Sequence, residues 1–175
     1  MLIILSGLPG VGKTTLGRAL SVQLGATLVR VDGIEHALAQ GGVSPIDGLG
    51  YEVAHAVALE NLMLGRTVIA DTVNPWELTR QAWRDVAVQA GVPSLDVEVR
   101  CSDVEEHRRR VESRTADLAG FKLPTWEDVL SRDYHPWTIE PLGVDLATQS
   151  LSDAVEAIAQ RVSGMLGDDG TTQAF

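Results

Sequence analysis

Residues 7–14, Gly-Leu-Pro-Gly-Val-Gly-Lys-Thr, fit the spacing G-x-x-x-x-G-K-[ST]. The octet follows the apolar run Leu2–Ser6 directly and precedes a stretch of helical periodicity, Lys13–Leu24. Its glycines let the backbone turn tightly enough for N–H groups to converge on one anion, and the following helix adds the positive end of its dipole. Lys13 supplies a cation for phosphate oxygens and Thr14 a hydroxyl for Mg²⁺. At ordinary glycine usage a chain of 175 residues holds such a pattern by chance with a probability below about 1%. A turn that merely caps a helix is therefore the weaker reading. The phosphate-binding candidates are Gly7, Pro9, Gly10, Val11, Gly12, Lys13, Thr14 and Thr15.

The remainder alternates short β-type runs with longer helical ones, which predicts an α/β fold with a mostly parallel sheet. Strands are expected at 2–6, 27–31, 67–70, 95–101 and 144–147. Helices are expected at 13–24, 33–40, 51–64, 74–90, 102–116, 125–132 and 151–166. Gly25 suits a C-cap. Three helix starts carry cap signals: Asp32 with Glu35, Asn74 before Pro75 and Glu77, and Ser102 with Glu105. Residues 120–141 are otherwise irregular, and the Gly/Asp/Thr-rich stretch 167–175 reads as a flexible tail on a domain spanning 1–166.

Composition excludes several classes. With 45% hydrophobic and 22% charged residues, the chain is a globular domain rather than a disordered or fibrous one. Its 24 acidic and 14 basic residues give a net charge of −10, which opposes non-specific attraction to nucleic acid or to anionic membranes. Cys101 stands alone, so no intrachain disulfide forms. No apolar run reaches the roughly 20 residues of a membrane span, and the opening residues lack the charged n-region of a leader. A cytoplasmic location is expected. The four histidines show no metal-ligand spacing.

On these residues the chain resembles the P-loop kinases, in particular the adenylate-kinase-like, AAA-type group. That group includes shikimate and gluconate kinases, chloramphenicol phosphotransferase and polynucleotide-kinase-type domains. The resemblance extends to about Arg161 and is strongest over Gly7–Thr15. It implies a three-layer P-loop NTPase fold with a five-stranded parallel sheet and a helical lid at about 117–141. It also implies ATP with Mg²⁺ and phosphoryl transfer to a hydroxyl.

Two carboxylates close apolar runs. Asp32 ends Leu28-Val29-Arg30-Val31-Asp32, at a strand's carboxyl end, where ligands of open α/β sheets gather. There it could take the proton of an attacking hydroxyl, while also opening the next helix. Shikimate kinase and chloramphenicol phosphotransferase carry a functional Asp at this position, which the resemblance extends to Asp32. Asp71 ends Thr67-Val68-Ile69-Ala70-Asp71 and looks like a Walker B carboxylate, a metal partner for Thr14. Arg108, Arg109, Arg110 and Arg114 follow strand four, with Glu105, Glu106 and Glu112 at helical pairing distance. They read either as a solvated charged face or as cations for the transferring phosphoryl. The resemblance singles out Arg110 and Arg114, beside Lys13 and Asp32, as catalytic. Of the tryptophans, Trp76 is placed to pack on an acceptor ring.

From Asp32 through Gly65 there is no Lys or Arg. Anionic acceptors need such a partner, so the segment favours a neutral or cationic hydroxyl compound: a nucleoside, a sugar-like alcohol or an antibiotic. Arg80 or Arg84 could substitute from the next helix. Glu35, Gln40, Tyr51, Glu52 and His55 are candidate pocket residues. Three rivals share the phosphate loop: a GTPase switch, a 5′-hydroxyl polynucleotide kinase and a non-catalytic nucleotide-gated module. The first would need an N-K-x-D element, and the two lysines, Lys13 and Lys122, lie in no such context. The acidic balance opposes the second.

Overall fold

The computed structural model describes residues 1–168. Five parallel strands form one sheet: β1 (Leu2–Ser6), β2 (Thr27–Arg30), β3 (Val68–Asp71), β4 (Ser94–Arg100) and β5 (Leu142–Asp145). Their spatial order is β2-β3-β1-β4-β5. The central β1 is buried on both sides, as an uninterrupted apolar run demands. Its alternate residues feed two cores. Met1, Ile3 and Leu5 pack with α1 (Lys13–Leu24), α7 (Leu151–Asp168) and β4 on one face. Leu2 and Ile4 pack with α3 (Leu49–Met63) and α4 (Glu77–Gln89), including the fully buried Trp83, on the other. The result is three layers.

The carboxyl edge of this sheet carries the connections that matter. The phosphate-loop octet joins β1 to α1, and α2 (Val31–Gln40) follows β2 without a gap. Helix α5 (Val104–Ser113) follows β4, and the short α6 (Trp126–Leu130) lies in the segment between α5 and β5. Gly25 ends α1 in the left-handed region at φ 60°, as its spacing predicts.

Several expected boundaries shift for identifiable reasons. Helix α2 starts at Val31, not Gly33, so Asp32 lies inside its first turn and caps nothing. Helix α4 starts at Glu77 with Trp76 as its N-cap residue. Asn74 is instead buried at φ 53°, its amide donating to Ser6 Oγ at 3.1 Å, a partner 68 positions away. Asp103, not Ser102, caps α5 by accepting from the Glu106 N–H. Helix α5 ends at Ser113, so Arg114 sits just beyond it in extended backbone. Thr125 and Asp128 make a complete capping box on α6. Residues 169–175 of the expected tail lie outside the described residues, and Gly167 and Asp168 prolong α7. No helix among the described residues is long and apolar enough to cross a membrane.

Candidate active site

The loop is shaped by close contacts that only glycine allows. Gly7 has φ 144°, and a Cβ there would stand 2.2 Å from the Val99 carbonyl oxygen of β4. A Cβ on Gly10 would stand 2.4 Å from Val111 of α5. Helix α5 also reaches the loop through His107, which is buried and pairs its Nε2 with the Pro9 carbonyl at 2.9 Å. The edge of the His107 ring meets Trp126 of α6.

Lys13 is buried at the base of the loop, its Nζ donating to the Leu8 carbonyl at 2.9 Å. Burial lowers its pKa, opposed by the carboxylates of Asp71 and Asp32. Thr14 Oγ1 donates to Asp71 Oδ2 at 2.6 Å, across 57 residues of chain. Burial raises the Asp71 pKa, and Lys13 and the Thr14 hydroxyl pull it back. A hydroxyl and a carboxylate in contact beside a phosphate loop are the hard oxygen donors that Mg²⁺ takes. These two residues therefore fit that ion.

A cleft of 560 Å³ opens over this pair. Of the expected site residues, Pro9, Gly10, Gly12, Lys13, Thr14, Thr15, Asp32, Asp71, Arg110 and Arg114 line it. Gly7 lies beneath the loop against β4, and Val11 is part of the core. Asp32 projects from the first turn of α2 into the cleft, close enough to act electrostatically on Lys13, Asp71, Glu35 and Tyr51. Arg110 is held by Glu106 Oε1 at 2.7 Å and by the Leu146 carbonyl at 2.9 Å. Glu106 also binds Arg109, in place of the expected Glu105. Arg114 donates to the Pro124 carbonyl at 3.3 Å, and burial lowers its pKa.

Beside the cleft, Tyr51 Oη accepts from Thr72 Oγ1 at 2.6 Å and from the Asn74 N–H at 3.4 Å. Glu35 lies over Gly50, where a Cβ would come within 2.2 Å of its Cγ, and both burial and Asp32 raise its pKa. His55 packs edge-on against Trp83, while Gln40 and Glu52 are exposed. Neither suggested substitute cation is free. Arg80 is fully buried and donates to the carbonyls of Asn74, His135 and Pro136, and Arg84 is paired with Glu77 and Asp96. Trp76 is 45% exposed with its Nε1 on Asp133, so it forms no wall of the cleft.

Arg18, Arg30 and Asp117 are charged residues that also line the cleft, although spacing gave them no place in the site. Arg30 and Asp117 are hydrogen-bonded although 87 positions apart, which no local pattern announces.

Among solved structures, a provisionally named kinase from Chloroflexus aurantiacus superposes with a TM-score of 0.73 at 22% identity, covering 94% of this chain and 96% of its own. An APS kinase from Mycobacterium tuberculosis, in complex with AMPPNP and APS, gives 0.68 at 18% identity, covering 93% and 96%. A gluconokinase from Sinorhizobium meliloti 1021 gives 0.67 at 17% identity, covering 97% of each chain. At these identities the likeness is one of fold. No curated protein matches the sequence. The family model described as an AAA domain matches residues 2–132, a span that holds the phosphate loop, Asp32, Asp71 and both cleft arginines of the α5 region. By that match the chain belongs to this family of AAA domains.

Proposed function

We propose that the protein is an ATP- and Mg²⁺-dependent phosphotransferase that moves the γ-phosphoryl group to a hydroxyl of a small neutral or cationic molecule. The observation that carries this reading is the 2.6 Å Thr14–Asp71 contact at the mouth of the loop, with Lys13 and Asp32 facing the same cleft. Thr14 and Asp71 would hold Mg²⁺, which when bound neutralises charge on the β- and γ-phosphate oxygens. In the transfer, the acceptor oxygen forms a bond to the γ-phosphorus as the bond to the bridging oxygen breaks. That electron pair leaves with ADP, and the hydroxyl proton passes to the Asp32 carboxylate. Lys13, with Arg110 and Arg114, offsets the phosphoryl charge. Within a kinase domain spanning 1–166, residues 117–141 act as the lid that excludes water, which would otherwise compete with the acceptor.

Support for the acceptor class comes from the pocket wall. Asp32 lines the cleft from α2, with Glu35 and Tyr51 beside it on α2 and α3; those helices carry no Lys or Arg, and Arg80 and Arg84 are both engaged. The test is a metabolite pool incubated with labelled ATP and scored for a new phosphorylated product. Lys13→Ala is expected to abolish product formation, and Asp32→Asn to lose transfer while keeping ATP binding. Full transfer in Asp32→Asn removes it as the base. Label appearing only on oligonucleotide 5′ ends, or ATP binding without any product, overturns the small-molecule reading.

A further inference from the structure

Asp117, where the segment above the cleft begins, is held between two guanidinium groups. Its Oδ2 accepts from Arg30 Nη1 at 2.7 Å and from Arg18 Nη2, and Arg30 Nη2 lies 3.5 Å from its Oδ1. Those two cations pull its carboxyl down to about 2, so it stays ionised across the physiological range. Arg18 comes from the second turn of α1. Arg30 ends β2, directly opposite Asp71 in the parallel register. Its Nε is shielded from solvent, has no hydrogen-bond partner and lies 3.5 Å from Asp71 Oδ2. The contacts therefore run from Thr14 to Asp71, to Arg30, to Asp117, along one wall of the cleft.

This arrangement is unexpected in an acidic chain. Of its 14 cationic side chains, five line this one cleft: Lys13, Arg18, Arg30, Arg110 and Arg114. Arg110 is fixed by Glu106 and a backbone carbonyl. The main anionic partner of Arg18 and Arg30 is instead a carboxylate that remains 35% exposed and belongs to the irregular segment after α5. Planar guanidinium forks match carboxylate and phosphate oxygens alike, so one such anion can take the place of the other. A phosphoryl oxygen cluster carries more charge than a carboxylate and offers more acceptors, one of which could satisfy the orphan Arg30 Nε.

We propose that Arg18 and Arg30 form an oxyanion subsite for the phosphoryl group in transit, and that Asp117 occupies it as an internal substitute until that group displaces it. The assignment rests on the phosphotransferase reading above. It adds two residues to the groups that meet the transferring charge. It also gives the segment from Asp117 onward a reason to move when the phosphoryl arrives, because its anchor is exchanged at that moment.

The test is calorimetric binding of inorganic phosphate to protein loaded with Mg·ADP, so that the loop is filled and only the terminal position is open. Asp117→Asn, which keeps the shape and removes the competing charge, is expected to bind phosphate roughly tenfold more tightly than wild type. The double variant Arg30→Gln, Asp117→Asn is expected to lose that gain, and Arg30→Lys, Asp117→Asn to keep part of it, since charge remains without the fork. Thermal melts of each variant establish that the protein assayed is folded. No gain in Asp117→Asn, or a gain that survives Arg30→Gln, overturns the proposal. A gain of equal size with and without Mg·ADP marks a subsite for an anionic acceptor instead, and overturns the assignment to the transferring group. Mg·ADP binding is read first in the same cell. If it fails, the phosphotransferase reading falls and this assignment with it; if it succeeds, the phosphate comparison between Asp117→Asn and the Arg30→Gln, Asp117→Asn double variant decides the subsite alone.

Discussion

Replacing Arg80 by methionine removes the fixture that ties the far end of the segment over the cleft to the body of the domain. The side chain is fully buried in α4, with Nε 3.1 Å from the Asn74 carbonyl, Nη1 3.0 Å from Pro136 and Nη2 2.8 Å from His135. Its guanidinium carbon also lies 4.0 Å from the Trp137 ring centre and 5.1 Å from that of Tyr134. Methionine keeps most of the apolar stem, so the packing change is small. Of its four carbonyl acceptors Pro75 keeps the His135 N–H, so three lose their donor, at about 1–3 kcal/mol each, and two desolvated cation–π contacts go, at about 1–2 kcal/mol each. Against this, the variant no longer dehydrates a guanidinium, which returns several kcal/mol. Taken at the lower ends of these ranges, the net loss is about 3 kcal/mol, or a fall in Tm of roughly 6–12 °C for a domain of this size. Urea unfolding followed by circular dichroism measures the first figure. Limited proteolysis should show earlier cleavage near 133–137, because those residues are released before the sheet opens. Stability within 0.5 kcal/mol of wild type (about the reach of a neutral surface change), with an unchanged cleavage pattern, would refute the reasoning.

Other substitutions test separate parts of the argument. Gly7→Ala places a Cβ 2.2 Å from a carbonyl of a hydrogen-bonded neighbouring strand, at a φ of 144°. It should cost about 2–6 kcal/mol in strain and overpacking, read in a thermal melt; an unchanged Tm would show that the loop has room to move. Glu35→Gln should raise Tm at pH 7. Burial and the like charge of Asp32 lift the Glu35 pKa above its ordinary 4.5, so ionising it as pH rises withdraws stability that a neutral amide keeps. Well below pH 4.5 the glutamate is protonated in both the folded and the unfolded chain, and the difference should vanish. A gain that persists in acid would mean that shape, not charge, is responsible.

The phosphate loop and its two flanking elements were legible in the amino-acid order because every determinant lies within one short stretch. An apolar run ends at Ser6, glycines permit the turn, and Lys13 and Thr14 open a helix that Gly25 closes. Asp71 was legible for the same reason, as an acid that ends an apolar strand. Cap signals failed at Asn74, Asp32 and Ser102. Asn74 illustrates why: its amide binds Ser6 from the neighbouring strand, so a tertiary hydrogen bond outcompetes the local one, and the chain holds a left-handed backbone to make it.

Amino-acid order by itself determined the parallel α/β layering, the phosphate loop and the placing of Thr14 and Asp71 at the ends of their elements, since strand periodicity and glycine freedom act over a few residues. Only the folded chain decided which charges meet. Arg18, Arg30 and Asp117 come from α1, from β2 and from beyond α5, and Arg80 finds its carbonyl partners 55 and 56 positions away. Charge and hydrogen bonding act through space, and the distances that set their strength exist only after the sheet has brought its carboxyl ends together.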